Sequence, residues 1–284
     1  MQVRTYTNAK DFLKDTQSPL ESNEAANSLM LGICGQLIRQ PERIRTAPCL
    51  KVVEDQRGLV LAALMTPPHK LVVYGHQGDL AREARALVED LLAEGWQVPG
   101  VLGPSAVAQQ VADVWTEVTD RPHQLERRQS VYKLTEVKIP APERGRLRSA
   151  TEADLPLAAQ WNVKFTMDIF GHTDREEAEQ AARFRIGRED IFLWDDEGPL
   201  SMAMKNRPTT NGISVSLVYT PPQWRCRGYG TACVGELSRM LLETGCKSCV
   251  LFCDLANPAA NRVYQKIGYQ PVCVYDEYAF QAEG

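Results

Sequence analysis

The most constraining feature of the chain is a strand, a basic glycine-bearing loop and a helix that follow one another over residues 213–232. The run from Ile213 to Tyr219 is rich in β-formers and ends at two prolines. The loop then reads Arg-Cys-Arg-Gly-Tyr-Gly over residues 225–230, and apolar residues at helical spacing follow it. Because the amides of such a loop and the helix dipole both attract anions, this arrangement predicts a phosphate-binding site.

The spacing of the loop, Arg-x-x-Gly-x-Gly, differs from two well-known phosphate loops. A P-loop carries Gly-Lys-Ser/Thr after four intervening residues, and the dinucleotide fingerprint carries a third glycine and a later acidic residue. Two glycines alone also fit an ordinary turn. The downstream sequence favours a binding loop, because a buried strand at Cys249–Cys253 leads into an Asn-Pro helix start at Asn257 and a glycine stop at Gly268.

Together these segments resemble the GCN5-related N-acetyltransferases (the GNAT superfamily), closely over residues 213–273 and more loosely over 147–212. The resemblance implies acetyl-CoA as cofactor, with its pyrophosphate held by the Arg-x-x-Gly-x-Gly loop. It also implies that the strand before the loop diverges from its neighbour and exposes backbone N–H groups to the cofactor. The cofactor-binding residues that it implies are Val218, Tyr219, Thr220, Arg225, Cys226, Arg227, Gly228, Tyr229, Gly230, Thr231, Asn257 and Asn261.

Tyr264 is the catalytic residue that the resemblance implies, as the general acid for the departing thiolate. A phenol with a pKa near ~10 can supply that proton. The alternatives are a buried core role for Tyr264 and an N-cap role for Asn257 before Pro258. No general base is assigned. The acidic or imidazole side chains that could serve are Asp168, His172, Asp276 and Glu277, each of which also fits a solvated surface position.

A charged segment with two prolines and a glycine predicts a linker at residues 138–146, between an N-terminal domain at 1–137 and a GNAT domain at 147–284. The two halves share an order of elements, which predicts a tandem protein with a degenerate N-terminal half. There Gly75-His-Gln-Gly78 replaces the basic loop, without arginine. Two unrelated α/β halves are the alternative. The fold class predicted is α/β (α+β type), with two GNAT-like domains, each a small twisted mixed sheet flanked by helices.

Composition narrows the classes of molecule that the protein is expected to bind. A formal net charge of −4 argues against nucleic acid, because phosphate backbones call for a basic surface. Neither a signal core nor a long apolar run stands out, so we expect a cytoplasmic protein that does not bind membranes. Cys246 and Cys249 form a CxxC motif without a second ligand pair, which favours buried thiols over a zinc site, and no metal is expected.

The function predicted is transfer of an acetyl group from acetyl-CoA to a primary amine of a small molecule, amino acid or peptide. One alternative is an acyl-CoA sensor without turnover. Another is an N-acyltransferase that uses a longer acyl-CoA. The sequence leaves open the acceptor amine, the general base and whether the protein is a monomer or a homodimer.

Overall fold

The computed structural model describes residues 1–44, 46–171 and 174–281 of the chain. Its strands are β1 Gln2–Thr5, β2 Cys49–Asp55, β3 Gly58–Met65, β4 Leu71–Gly75, β5 Gly100–Pro104, β6 His123–Leu134, β7 Arg146–Ser149, β8 Ile191–Asp195, β9 Pro199–Asn206, β10 Gly212–Tyr219, β11 Ser248–Asp254 and β12 Gln270–Phe280. Its α-helices are α1 Ala9–Glu21, α2 Ser28–Arg39, α3 Ala81–Ala93, α4 Ser105–Thr119, α5 Leu155–Phe170, α6 Arg175–Ile186, α7 Tyr229–Glu243 and α8 Pro258–Ile267. The predicted α/β class is confirmed.

The chain divides into two compact units whose limits differ from the predicted segments 1–137 and 147–284. The first unit contains residues 1–131, 253–256 and the described residues from 271 onward, and the second contains 132–252 and 257–270. The difference arises because β12 hydrogen-bonds antiparallel to β5, which brings the last strand into the first unit. The predicted linker also lies within the second unit, where the amide of Lys138 donates to the carbonyl of Ile267.

The first unit has the strand order β1-β2-β3-β4-β5-β12-β6. Successive residues of β2 alternate between two apolar cores, because side chains of a strand point to opposite faces of its sheet. Cys49 and Val53 join the core formed with α3 and α4, whereas Leu50 and Val52 join the core formed with α1 and α2. The sheet is therefore covered on both faces.

The second unit has the strand order β11-β10-β9-β8-β7. Met202 and Met204 of β9 pack with α5 and α6, while α7 packs against the strands from β7 to β10. A capping box forms at Thr151 and Asp154, before α5. Arg148 donates to Asp154 at 2.7 and 2.9 Å, and these hydrogen bonds lower the pKa of Asp154 to about 2.

Some predicted limits shift in the structure. Periodicity in the sequence predicts helices over residues 105–119 and 258–267, and α4 and α8 have these bounds. The sequence also predicts that the last element of the N-terminal half starts at residue 130, whereas β6 begins at His123. The apolar residues at helical spacing predict a helix that starts near Ala232, whereas α7 begins at Tyr229. Within the described ranges, every helix is too short or too polar to cross a membrane.

Candidate functional site

Strands β10 and β11 of the second unit run together at one end and separate at the other. Their parallel pairing joins Gly212–Ser214 to residues 248–250. Beyond Ser216 the register with β9 also becomes irregular, and Leu217 adopts a left-handed backbone with φ +50°. The divergence that the resemblance implied is therefore present, and it falls on the half of β10 that carries Val218 and Tyr219.

The loop after β10 ends in an uncapped helix start. Residues 222–224 form a short 3-10 turn, Cys226 has φ +61° and Gly228 has φ +87°. Gly228 is the N-cap residue of α7 and supplies no side-chain cap. The amide of Ala232 bonds back to the carbonyl of Gly228 at 2.9 Å, so the three preceding amides of α7 have no partner within the helix.

This geometry corrects the position of three predicted residues. Tyr229, Gly230 and Thr231 belong to the first turn of α7 and not to the loop. Their backbone N–H groups point out of the helix start, where the positive end of the dipole lies. The correction strengthens the case for an anion site, because the helix begins beside the ligand-facing loop.

A cavity of about 410 Å³ opens beside this helix start. It carries three cationic side chains and no acidic one, in a chain whose formal net charge is −4. Its lining comes from the loop, the first turn of α7 and one face of α8. The lining residues are Thr220, Trp224, Arg225, Cys226, Gly228, Tyr229, Gly230, Thr231, Ala259, Arg262, Val263 and Lys266.

The two arginines of the loop have different surroundings. Arg225 lines the cavity, donates from Nε to the carbonyl of Thr220 at 2.9 Å, and pairs with Asp168 at 3.1 Å. Arg227 does not line the cavity, and its guanidinium lies 5.1 Å from the centre of the Trp224 ring. Arg225 is therefore the loop arginine placed to meet a ligand, and Asp168 is engaged in an ion pair with it.

The two glycines are required for different reasons. Gly228 needs its left-handed backbone, which other residues adopt only with strain. Gly230 has an ordinary helical backbone, but an added Cβ would lie 3.1 Å from the Oγ1 atom of Thr220. That oxygen is held 2.9 Å from Oγ of Ser201. A side chain at position 230 would therefore press on Thr220 and occupy the cavity.

The two predicted asparagines form the start of α8 and lie outside the cavity lining. Asn257 accepts the amide of Ala260 at 3.0 Å, which is the N-cap role considered from the sequence. Asn261 donates to the carbonyl of Asn257 at 2.7 Å and accepts the hydroxyl of Tyr132 at 2.8 Å. Both side chains therefore stabilise α8 and its contact with Tyr132.

Tyr264 is buried in a group of three aromatic rings. It is 9% exposed, and its ring centre lies 6.4 Å from that of Tyr132 and 6.1 Å from that of Tyr269. The residues of α8 that line the cavity are Ala259, Arg262, Val263 and Lys266, so Tyr264 lies on another face of the helix. Its surroundings match the buried-core alternative, and its catalytic role stays a prediction.

Three residues of this region were missed from the sequence. Arg262 and Lys266 share the helical face of Ala259 and Val263, so a helical wheel of α8 could have grouped them. Tyr132 left no such signal, because it reaches Asn261 only through the tertiary fold.

Two of the candidate bases belong to the first unit. Asp276 is fully buried and bonds Arg128 twice at 2.7 Å, so its predicted solvated position is wrong. Burial opposes its ionisation, but hydrogen bonds from Arg128 and Ser105 outweigh that effect and lower its pKa. Glu277 pairs with Lys70 at 2.8 Å. His172 lies outside the described residues.

All eight cysteines are free thiols, and Cys226 of the loop is exposed. Burial raises the pKa of Cys249 to about 12, so the CxxC motif ends in an unreactive thiol. Within the part of the chain that the structure describes, three or more His, Cys, Asp or Glu side chains nowhere meet in a group that could hold a metal ion.

Residues 157–269 match the model of the Acetyltransferase (GNAT) family. This match confirms the resemblance to the GNAT family over that segment. No curated protein shows a significant match to the chain.

Solved structures of similar fold extend over the whole chain. A GCN5-related N-acetyltransferase from Sphaerobacter thermophilus has a TM-score of 0.61 at 16% identity, covering 100% of this chain and 96% of its own. A GNAT-family acetyltransferase from Colwellia psychrerythraea has a TM-score of 0.59 at 13% identity, covering 100% of both chains. A tandem GNAT protein from the clavulanic acid biosynthesis pathway has a TM-score of 0.56 at 12% identity, covering 100% and 99%. These likenesses show the fold.

Proposed function

We propose that the second unit binds acetyl-CoA and transfers its acetyl group to a primary amine of a small molecule, an amino acid or a peptide. The observation that carries the proposal is the cationic cavity at the uncapped start of α7. Three helix amides, a glycine at φ +87° and Arg225 supply the donors and the close backbone approach that a diphosphate requires. The residues present therefore fit the cofactor.

Acetyl-CoA supplies an activated acetyl thioester when bound. The chain contributes binding and orientation: the first turn of α7 and Arg225 hold the diphosphate, and Gly230 keeps the approach open. The separated end of β10, at Val218 and Tyr219, offers backbone N–H groups along the cofactor arm. Fixing a thioester beside an amine in this way removes much of the entropic barrier to transfer.

Tyr264 is proposed to hold, at its phenolic oxygen, the proton that the leaving sulfur takes. What supports the role is its place on α8, within the motif whose other residues begin and stabilise that helix. Its burial among aromatic rings favours a second candidate function, in which the unit binds acyl-CoA without turnover.

The test is a panel of primary amines offered with acetyl-CoA to the full-length protein, with release of free thiol as the readout and mass spectrometry of the acetylated product. We expect at least one amine to yield product. The Tyr264→Phe variant should lose turnover by about 10²-fold or more while CoA affinity is kept. Tyr269→Phe is the matched control, because its hydroxyl is buried against Ser238, at 2.8 Å.

Thiol release that stays at the rate of spontaneous hydrolysis for every amine, with CoA binding intact, would support the non-catalytic candidate. Acetyl-CoA replaced by succinyl-CoA or benzoyl-CoA in the same assay distinguishes a transferase that prefers a longer acyl group.

A further inference from the structure

Two cations on α8 line the cavity without a role in the diphosphate site described above. Arg262 and Lys266 are four residues apart, so they project from the same face of the helix. Both side chains are exposed, and neither forms an ion pair with another described residue. They are therefore available to a ligand that occupies the cavity.

The charge of the cavity exceeds what a diphosphate needs. The uncapped start of α7 and Arg225 form one wall, and their donors suit one diphosphate. Arg262 and Lys266 add two positive charges on the wall formed by α8, and no acidic residue lines the cavity to offset them. A ligand that matches both walls carries a second anionic group.

We infer that Arg262 and Lys266 bind the 3′-phosphate on the ribose of CoA and make the site prefer CoA over 3′-dephospho-CoA. The inference rests on the proposed function, in which this cavity holds CoA. A phosphomonoester carries about −1.5 to −2 charges at neutral pH and three acceptor oxygens, which suits an arginine and a lysine side by side. The two residues are thus specificity determinants for the cofactor.

The experiment measures dissociation constants of CoA and 3′-dephospho-CoA by calorimetry, for the full-length protein and for the Arg262→Gln/Lys266→Gln variant. The wild type should prefer CoA by about tenfold or more, since each charge-assisted contact to phosphate is stronger than a neutral one. In the variant the preference should fall to within about twofold, with the affinity for 3′-dephospho-CoA unchanged. Added salt should reduce the wild-type preference, because the two cations are exposed.

The Arg175→Gln/Lys247→Gln variant is the control for net charge. It removes two exposed cations of the second unit that lie outside the cavity lining, and its preference for CoA should equal that of the wild type. Thermal melting of each variant checks that the fold is retained.

Two results would overturn the inference, and a third would overturn the proposed function on which it rests. Equal wild-type affinities for the two ligands would mean that the 3′-phosphate makes no contact. An equal loss for both ligands in the α8 variant would assign these cations to the diphosphate. Absence of binding to either ligand by the wild type is a separate result, because it overturns the proposed function itself.

Discussion

Each unit contains a strand that pairs in parallel with its neighbour and then leads into a helix, but the two connections differ. Residues 76–80 connect β4 to α3 in the first unit, and residues 220–228 connect β10 to α7 in the second. In the first unit side chains fill the space at the end of β4. An added Cβ at Gly75 would lie 2.7 Å from Leu80 and 3.1 Å from Val107.

The starts of α3 and α7 also differ in whether side chains accept their backbone amides. The amide of Leu80, at the start of α3, donates to the side-chain oxygen of Gln110 at 2.6 Å, and the amide of Ala81 donates to Asp79 at 3.0 Å. At the start of α7 the N-cap residue is Gly228, which has no side chain to accept those amides. Side chains thus accept two amides at the start of α3, whereas Gly228 accepts none of the first amides of α7, which face the cavity.

The strands before the two helices also differ. In the first unit the parallel pairing of β4 with β5 covers Leu71 and Val72, and the strands stay close at the next residue, since an added Cβ at Gly103 would lie 2.6 Å from the carbonyl oxygen of Val73. In the second unit the pairing of β10 with β11 covers residues 212–214. A strand, a loop and a helix leave room for a phosphate only where side chains keep the helix start and the gap between the strands open. We propose on this basis that the first unit is a degenerate half that does not hold CoA.

The largest expected effect comes from filling the cavity beside the start of α7. Gly230→Val would place a branched side chain against Thr220 and in the cavity, so CoA affinity should fall by about 100-fold or more. Calorimetry measures the loss, and thermal melting should show little change because valine is a better helix former than glycine. An affinity within twofold of wild type would contradict the assignment of the site.

The corresponding change in the first unit should act on stability alone. Gly75→Val forces a side chain onto Leu80 and Val107, and overpacking of this kind costs about 1–3 kcal/mol. Chemical denaturation should report that loss, while CoA affinity of the folded protein stays within twofold. A parallel loss of affinity would mean that the first unit contributes to binding.

Arg225→Gln should weaken CoA binding by about tenfold, because a charged donor to phosphate is replaced by a neutral one. The loss is smaller than for Gly230→Val, since the helix amides remain and Arg225 is already shared with Asp168. Arg85→Gln in α3 is the matched control and should leave affinity unchanged, because Arg85 pairs with Glu117 in the first unit. Equal losses in the two variants would indicate a general charge effect.

The smallest effect is expected from removing a cap in the first unit. Gln110→Ala leaves the amide of Leu80 without its acceptor, which should cost about 1 kcal/mol of unfolding free energy. Opening this helix start should not create a second CoA site, because Leu80 and Val107 still fill the space. A second binding event in calorimetry would show that the cap alone prevents binding.

The sequence predicted the elements of the second unit because their signals are local. Alternation, helical spacing and the Asn-Pro start located β10, β11 and α8, and the glycines marked the loop. The start of α7 was predicted too late in the chain. Glycine disfavours a helix, so the segment Tyr229-Gly-Thr was assigned to the loop. Arg225 was identified with the loop, but its partner Asp168 could not be, since their contact depends on the tertiary fold.

The pairing of strands that lie far apart in the chain could not be predicted from the sequence. No local pattern states that β12 pairs with β5, which brings the final strand into the first unit and buries Asp276 beside Arg128. Register and partner choice depend on side chains far away in the chain. For the same reason, the sequence could not predict that Val107 fills the space at the end of β4.

The stoichiometry of CoA binding to the full-length chain tests the central claim most directly. Calorimetry with excess CoA should give one site per chain, and the Gly230→Val variant should weaken that site by about 100-fold or more. Two sites per chain, or one whose affinity in that variant stays within twofold of wild type, would contradict the account.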